Sequence, residues 1–197
     1  LDVPAAPGEV SAALGIPRRL YELYGDSYVL LAFIYSSCSD VNGCPLTSHV
    51  FYQIKAAMKR DSEIAQQLKL ISLSFDPVID TPEVMALYGN NFRYAGKAGE
   101  WQFVTTASEQ SLAPILDAYN QDIQRVTTSD GRYSGAIAHL LRVFLIDPEK
   151  NIRNIYSVEF LHQDLILNDF KTLLDEARNG ALQSVANQPA TLLSGPG

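Results

Sequence analysis

Apolar residues along this chain fall into runs and periods that alternate between strand and helix. Residues 27–35 (SYVLLAFIY) form a continuous apolar, aromatic and branched run, the pattern of a strand buried on both faces. Residues 68–75 (LKLISLSF) and 140–146 (LLRVFLI) predict two further strands, and 101–105 a shorter one. Val50, Ile54, Ala57 and Met58 recur at helical spacing after Pro45. A first helical turn tolerates that proline, because its missing N–H would have no partner there. Thr81-Pro82-Glu83 opens a second helix, reaching Phe92, with Thr81 as N-cap and Pro82 at the first helical position. Ser108 caps a third helix over 109–120, and 165–180 predict an amphipathic last helix ending at Gly180. The Gly-rich stretch 96–99 predicts a turn, and the polar, Gly-containing stretch 126–136 a loop. Residues 147–151 (DPEKN) turn the 140–146 strand back into 152–157 as an antiparallel hairpin.

The resulting order, β-α-β-α-β-α-β-β-α, predicts a layered α/β domain. Its late hairpin and closing helix fit a thioredoxin-like fold, a central mixed sheet flanked by helices. The start of the chain, rich in Ala, Pro and Gly, has no periodicity, and the end reads ANQPATLLSGPG. The expected organisation is an N-terminal arm over 1–19, one domain over 20–180 and a flexible C-terminal tail over 181–197.

Composition narrows the function. A chain of 197 residues with 47% hydrophobic and 19% charged residues is ordinary globular protein, sized for one domain. The formal net charge is −7, and the densest basic clusters are the pairs Arg18-Arg19 and Lys59-Arg60. A nucleic-acid binder needs cations to neutralise phosphate, so no nucleic-acid partner is expected, nor contact with an anionic membrane surface. The acidic balance suits cationic partners such as metal ions. No apolar run approaches the roughly 20 residues of a membrane span.

The chemistry concentrates at two cysteines, Cys38 and Cys44, where the 27–35 strand gives way to the first helix. Inert thiols, a structural disulfide and a metal or redox pair are all open to two cysteines so close. Position favours the last, because a helix N-terminus stabilises negative charge and gives Cys44 thiolate character. Residues 39–43 hold Asp, Asn and Gly, which permit the sharp turns that fold both sulfurs toward one point.

Phe33-Ile34-Tyr35 before Cys38, and Cys44-Pro45 after the loop, resemble the SCO/SenC family of copper-handling proteins. So do the stretch 71–77 (ISLSFDP), Asp80-Thr81-Pro82, and His139 just before the 140–146 strand with Asp147-Pro148 behind it. The resemblance covers residues 20–174. It implies an SCO/SenC-type thioredoxin fold and a copper ion, Cu(I) or Cu(II), held by Cys38, Cys44 and His139. It also implies a metallochaperone rather than an enzyme, delivering copper to a dinuclear copper centre of cytochrome c oxidase. The implied partners are a copper-receiving protein such as an oxidase subunit, and a thiol reductant protein that keeps the cysteines reduced. The implied location is exported or periplasmic, with room for a membrane anchor in a preceding N-terminal segment. The donor chemistry agrees, since thiolates select Cu(I) and imidazole suits both copper states. Two positions depart from the family: five residues separate the cysteines where three are usual, and Ala138 stands where Asp often precedes the histidine. The longer loop makes Asp40 an additional candidate ligand.

The alternative is a thiol–disulfide oxidoreductase in which Cys38 and Cys44 are the redox pair, Cys38 attacking and Cys44 resolving. The missing Cys-x-x-Cys spacing of thioredoxins speaks against it. His49, one turn into the first helix, reads as solvent-facing or capping, and His162 as surface. Asp76, Asp80, Asp147 and Glu149 border prolines and read as turn residues. Trp101 and the tyrosines Tyr21, Tyr24, Tyr28, Tyr35 and Tyr52 read as packing.

Overall fold

The computed structural model describes residues 3–5, 8–12, 15–92 and 101–186. The turn expected at 96–99 and the last part of the C-terminal tail lie outside the described residues. The chain divides into two units, Leu1–Gln163 and Asp164–Gly197.

The first unit begins with β1 (Val3–Pro4), β2 (Glu9–Ser11), β3 (Pro17–Arg19) and α1 (Leu20–Tyr24). Residues 1–19 are expected from sequence to be an unpatterned arm. Instead β2 and β3 pair as an antiparallel ribbon, and Ser11 bridges to Thr105. Val10 is buried there, and pairing at so few positions leaves too little apolar period to read from sequence.

The central elements follow the expected order with one addition: β4 (Tyr28–Ile34), α2 (Cys44–Met58), α3 (Ser62–Gln67), β5 (Leu68–Ser74), α4 (Pro82–Asn90), β6 (Trp101–Val104) and α5 (Glu109–Ala118). The addition is the short helix α3, which Asp61 caps before β5. After them come β7 (Ile123–Thr127), β8 (Tyr133–His139), β9 (Val143–Ile146) and β10 (Asn151–Tyr156). The main sheet runs β1-β10-β9-β4-β5-β6. β4, β5 and β6 are mutually parallel, while β9 pairs antiparallel with both β4 and β10. This is the expected mixed sheet. Every residue of β4 is buried, as its unbroken apolar run requires. Thr81 and Ser108 accept the N–H groups of Val84 and Ser111 as the predicted N-caps, and Pro82 opens α4.

Two expectations around the third strong strand change. The predicted loop at 126–136 is largely strand, because β7 and β8 form a separate antiparallel hairpin with Ile123 opposite His139 and Arg125 opposite Ile137. Most of its side chains face solvent, so neither strand shows an apolar alternation. His139 therefore ends β8 and does not introduce the next strand, which starts only at Val143.

The second unit is the helix α6 (Gln163–Ala186, its first residue in the first unit), with Ile166, Phe170 and Leu174 in one stripe. The helix passes through Gly180, where it was expected to stop. Gly180 has no left-handed φ there, so nothing forces a C-cap. Among the described residues no helix is long and apolar enough to cross a membrane.

Candidate metal centre

The site grows from the end of β4, where the strand reaches Tyr35 and the chain turns back into α2. The turn is tight. The N–H of Cys38 donates to the Tyr35 carbonyl at 3.3 Å, and that of Gly43 to the Asp40 carbonyl at 2.9 Å. Asp40 also accepts the Asn42 N–H on its own carboxylate at 3.0 Å, an Asx turn. Gly43 sits so close to the first cysteine that a Cβ there would lie 3.3 Å from the Cys38 Sγ. Both cysteines are free, Cys44 buried and Cys38 partly exposed.

The two thiols are hydrogen-bonded and therefore unlike. The bond from Cys44 is the largest influence on Cys38 and brings it down to about 5, against the opposing effect of burial. The N–H groups of Cys44 and Asp40 and the Tyr35 hydroxyl add to the stabilisation of its thiolate. Cys44 donates that bond, and this together with its burial pushes it far above the ordinary thiol range. Its sulfur accepts the Tyr35 N–H at 3.4 Å. The negative charge is therefore favoured on the accessible sulfur, Cys38, and disfavoured on the buried one. The helix N-terminus by itself favours thiolate character at Cys44; the structure favours it at Cys38 instead, because the buried Cys44 is the proton donor.

A buried carboxylate holds this turn in place. Asp80, 1% exposed, accepts the Ser36 N–H at 2.9 Å, the Ser36 hydroxyl and, at 2.5 Å, the Ser74 hydroxyl. It thereby fastens the start of the cysteine loop to the end of β5. Its neighbour in the same turn, Asp76, is also 1% exposed and receives Arg125 of β7 at 3.0 Å. Both aspartates were read from sequence as turn residues only; the apolar run just before Asp76 was the one signal that they start from buried chain.

His139 reaches the same region from the hairpin. Its Nδ1 bonds the Ile137 carbonyl at 2.9 Å. A carbonyl only accepts, so the proton sits on Nδ1 and Nε2 keeps its lone pair. The ring packs against Phe75, centroids 4.7 Å apart, and against Tyr35 at 5.8 Å. The structure thus brings Cys38 and Cys44 together and seats the His139 ring against Phe75 and Tyr35. Among the described residues no three His, Cys, Asp or Glu side chains form a group that would hold a metal ion, so neither His139 nor Asp40 joins the sulfurs as the chain stands.

His49 is exposed, as expected, and lines with Cys38, Tyr52, Tyr88 and Phe92 a cavity of about 450 Å³ beside α2. His162 is exposed just before the last helix. Trp101 packs on Phe51, Phe92 and Phe103, the structural role expected of it.

A mixed sheet of this order, with a free dithiol at the junction of a central strand and the following helix, defines a thioredoxin-like dithiol protein. Within that class the chain belongs to the SCO1/SenC family, whose family model matches residues 20–175. A proposed copper-binding protein of Stutzerimonas stutzeri is 27% identical over 128 residues, 63% of this chain and 55% of that protein. The chain thus matches about half the length of this curated relative. The fold is that of a SCO1/SenC family lipoprotein from Bacillus anthracis, at a TM-score of 0.71 and 19% identity over 88% of this chain and 96% of that one. It is also that of copper-bound ScoI from Arabidopsis thaliana, at 0.69 and 18% over 86% and 99%.

Proposed function

We propose that this chain is a copper chaperone that takes one copper ion as cargo on Cys38 and Cys44, with His139 as third donor, and passes it to a copper enzyme. The observation that carries this reading is the pair of free thiols brought together at the head of α2, the accessible one shifted toward the thiolate. Two sulfurs and an imidazole nitrogen suit both copper oxidation states, with the thiolates favouring Cu(I). Family membership and the copper-bound relative support the choice of metal. His139 offers its Nε2 from the last position of β8 and reaches the sulfurs by a local shift at that end of the strand, while the β7–β8 hairpin itself stays docked. The recipient is the dinuclear copper centre of a cytochrome c oxidase subunit, and a thiol reductant protein keeps the cysteines able to bind, since a disulfide offers no thiolate ligand. The lipoprotein relative supports an exported, membrane-anchored setting.

Titrating the reduced protein with Cu(I) against a competing chelator tests this. One ion per chain is expected, lost in Cys38→Ser and in Cys44→Ser and weakened in His139→Ala. Binding untouched by both serine variants would end the proposal.

The inequality of the thiols favours one second reading, a thiol–disulfide oxidoreductase. The Cys38 thiolate would attack a partner's disulfide, forming a mixed disulfide and releasing one partner thiolate. Cys44, once deprotonated, would attack the Cys38 sulfur, closing the intramolecular disulfide and releasing the second. Rapid reduction of insulin disulfides by a protein that holds no copper would favour this reading over the first.

A further inference from the structure

The hairpin that carries His139 has few attachments to the body of the fold. β8 buries Ile137, whose N–H donates to the Tyr35 hydroxyl at 3.4 Å. The His139 ring at the end of β8 packs on Phe75 and Tyr35, and Gln121, just before β7, donates to the Leu140 carbonyl just after β8 at 2.7 Å, closing the base of the hairpin on itself. Otherwise the strands are mostly exposed. The charged attachment is Arg125 on β7. Its Nη2 meets Asp76 at 3.0 Å and also bonds Glu109 of α5, whose Oε1 takes the Arg125 Nε–H at 3.0 Å. The guanidinium lies 5.0 Å over the Tyr133 ring, so it clasps β8 as well.

Asp76 is built for this single partner. One of its oxygens takes Arg125, while the other is buried without a hydrogen-bond partner among the described residues. A buried carboxylate so thinly satisfied depends on its one cation. The turn it belongs to is stiff, closed by the N–H groups of Ile79 and Asp80 on the Asp76 carbonyl at 3.1 and 2.8 Å. Asp80 in the same turn holds Ser36 at the start of the cysteine loop. One short segment therefore grips both halves of the site: Asp80 the cysteine loop, Asp76 the histidine hairpin.

We propose that Arg125, seated between Asp76 and Glu109, is a positioning residue that keeps the β7–β8 hairpin docked so that His139 stays within reach of Cys38 and Cys44. This rests on the reading of His139 as a copper donor. With the ion pair closed, the imidazole is one aromatic ring away from the cysteine loop. With it open, the tethered imidazole samples a larger volume, and its effective concentration at the sulfurs falls.

The test compares Arg125→Gln, Arg125→Lys and His139→Ala by amide hydrogen exchange and by Cu(II) binding with resonance spectroscopy of the bound ion. Arg125→Gln is expected to speed exchange across β7 and β8 at least about tenfold while the strands of the main sheet keep their protection. It is expected to weaken copper binding about tenfold, as loss of an outer partner does, and to reduce the nitrogen coupling in the spectrum. Arg125→Lys should restore most of both. Placed in the His139→Ala background, Arg125→Gln should weaken copper binding no further. If Arg125→Gln leaves the buried Asp76 charge uncompensated and the chain fails to fold, the pair Arg125→Gln/Asp76→Asn removes both charges and should show the same loosened hairpin. Unchanged hairpin exchange, or a copper loss that persists in full without His139, overturns the proposal. Failure of the donor reading shows separately, as His139→Ala alone leaving affinity and nitrogen coupling intact, and the exchange data then still decide the docking role.

Discussion

The ring of His139 stands edge-on to that of Tyr35, centroids 5.8 Å apart with an 83° angle between planes, and Tyr35 touches the cysteine loop as well. Its hydroxyl accepts the Ile137 N–H and donates to the Cys38 sulfur. Burial first, and the bond to Cys38 with it, push this phenol up to about 12, so it remains a donor throughout the neutral range. One side chain thus spans the gap between the dithiol and the imidazole.

Tyr35→Phe keeps the ring as spacer and removes the hydroxyl. The Cys38 thiolate then loses one of its donors, though not the largest, which is Cys44. The Cys38 value should rise by up to about one unit, the scale of a single hydrogen bond to a charged group. The pH dependence of iodoacetamide alkylation reads it directly. A profile identical to that of the parent protein would show that the hydroxyl does not reach the sulfur.

Copper binding should depend on pH through Cys44 rather than Cys38. Cys38 is lowered, so above about 5 it has no proton to lose; Cys44 is raised, so its proton must be displaced by the metal. The affinity for Cu(I) should therefore rise by about one decade per pH unit between pH 6 and 8, with about one proton released per ion. Below pH 5 the slope should steepen toward about two, as Cys38 also becomes protonated. A slope of two across the neutral range would mean that neither thiol is ionised in the free protein.

The sheet and the dithiol were legible because their signals are local. The unbroken apolar run of β4 announces a strand buried on both faces, and Thr81, Pro82 and Ser108 mark helix starts by capping chemistry alone. The β7–β8 hairpin was not legible, because its exposed faces carry no alternation and its attachment rests on Arg125 and Ile137 meeting residues far away in the chain. The same holds for Asp80. Its place beside prolines reads as a turn, while its bonds to Ser36 and Ser74 exist only once β4 and β5 lie side by side. His139 is recognised by resemblance, and no local pattern reports that its ring rests against Phe75 and Tyr35.

Asp80→Ala leaves the Ser36 N–H and two hydroxyls without their acceptor in a buried place. The loss should be about 3 kcal/mol of unfolding free energy, read by urea denaturation of the reduced protein. Asp80→Asn keeps one acceptor oxygen and should cost less. A loss below about 1 kcal/mol for the alanine variant would mean that the cysteine loop is held by its own turn and not by this carboxylate.

Gly43→Ala tests whether the closeness of the loop is what makes the two thiols unequal. The added Cβ would lie 3.3 Å from the Asp40 carbonyl oxygen and 3.3 Å from the Cys38 Sγ. The carbonyl is held by the Gly43 N–H at 2.9 Å, so the side chain of Cys38 has the freer path and should move. Its hydrogen bond with Cys44, the largest stabiliser of the Cys38 thiolate, then lengthens. Alkylation at pH 6 should slow, because less of Cys38 is ionised as its value rises from about 5. Overall stability should fall by no more than about 1–2 kcal/mol, since the strain is confined to a partly exposed turn. Wild-type alkylation in Gly43→Ala would show that the sulfur has room to spare, and that the acidity of Cys38 comes from the backbone donors of the loop and not from its buried neighbour.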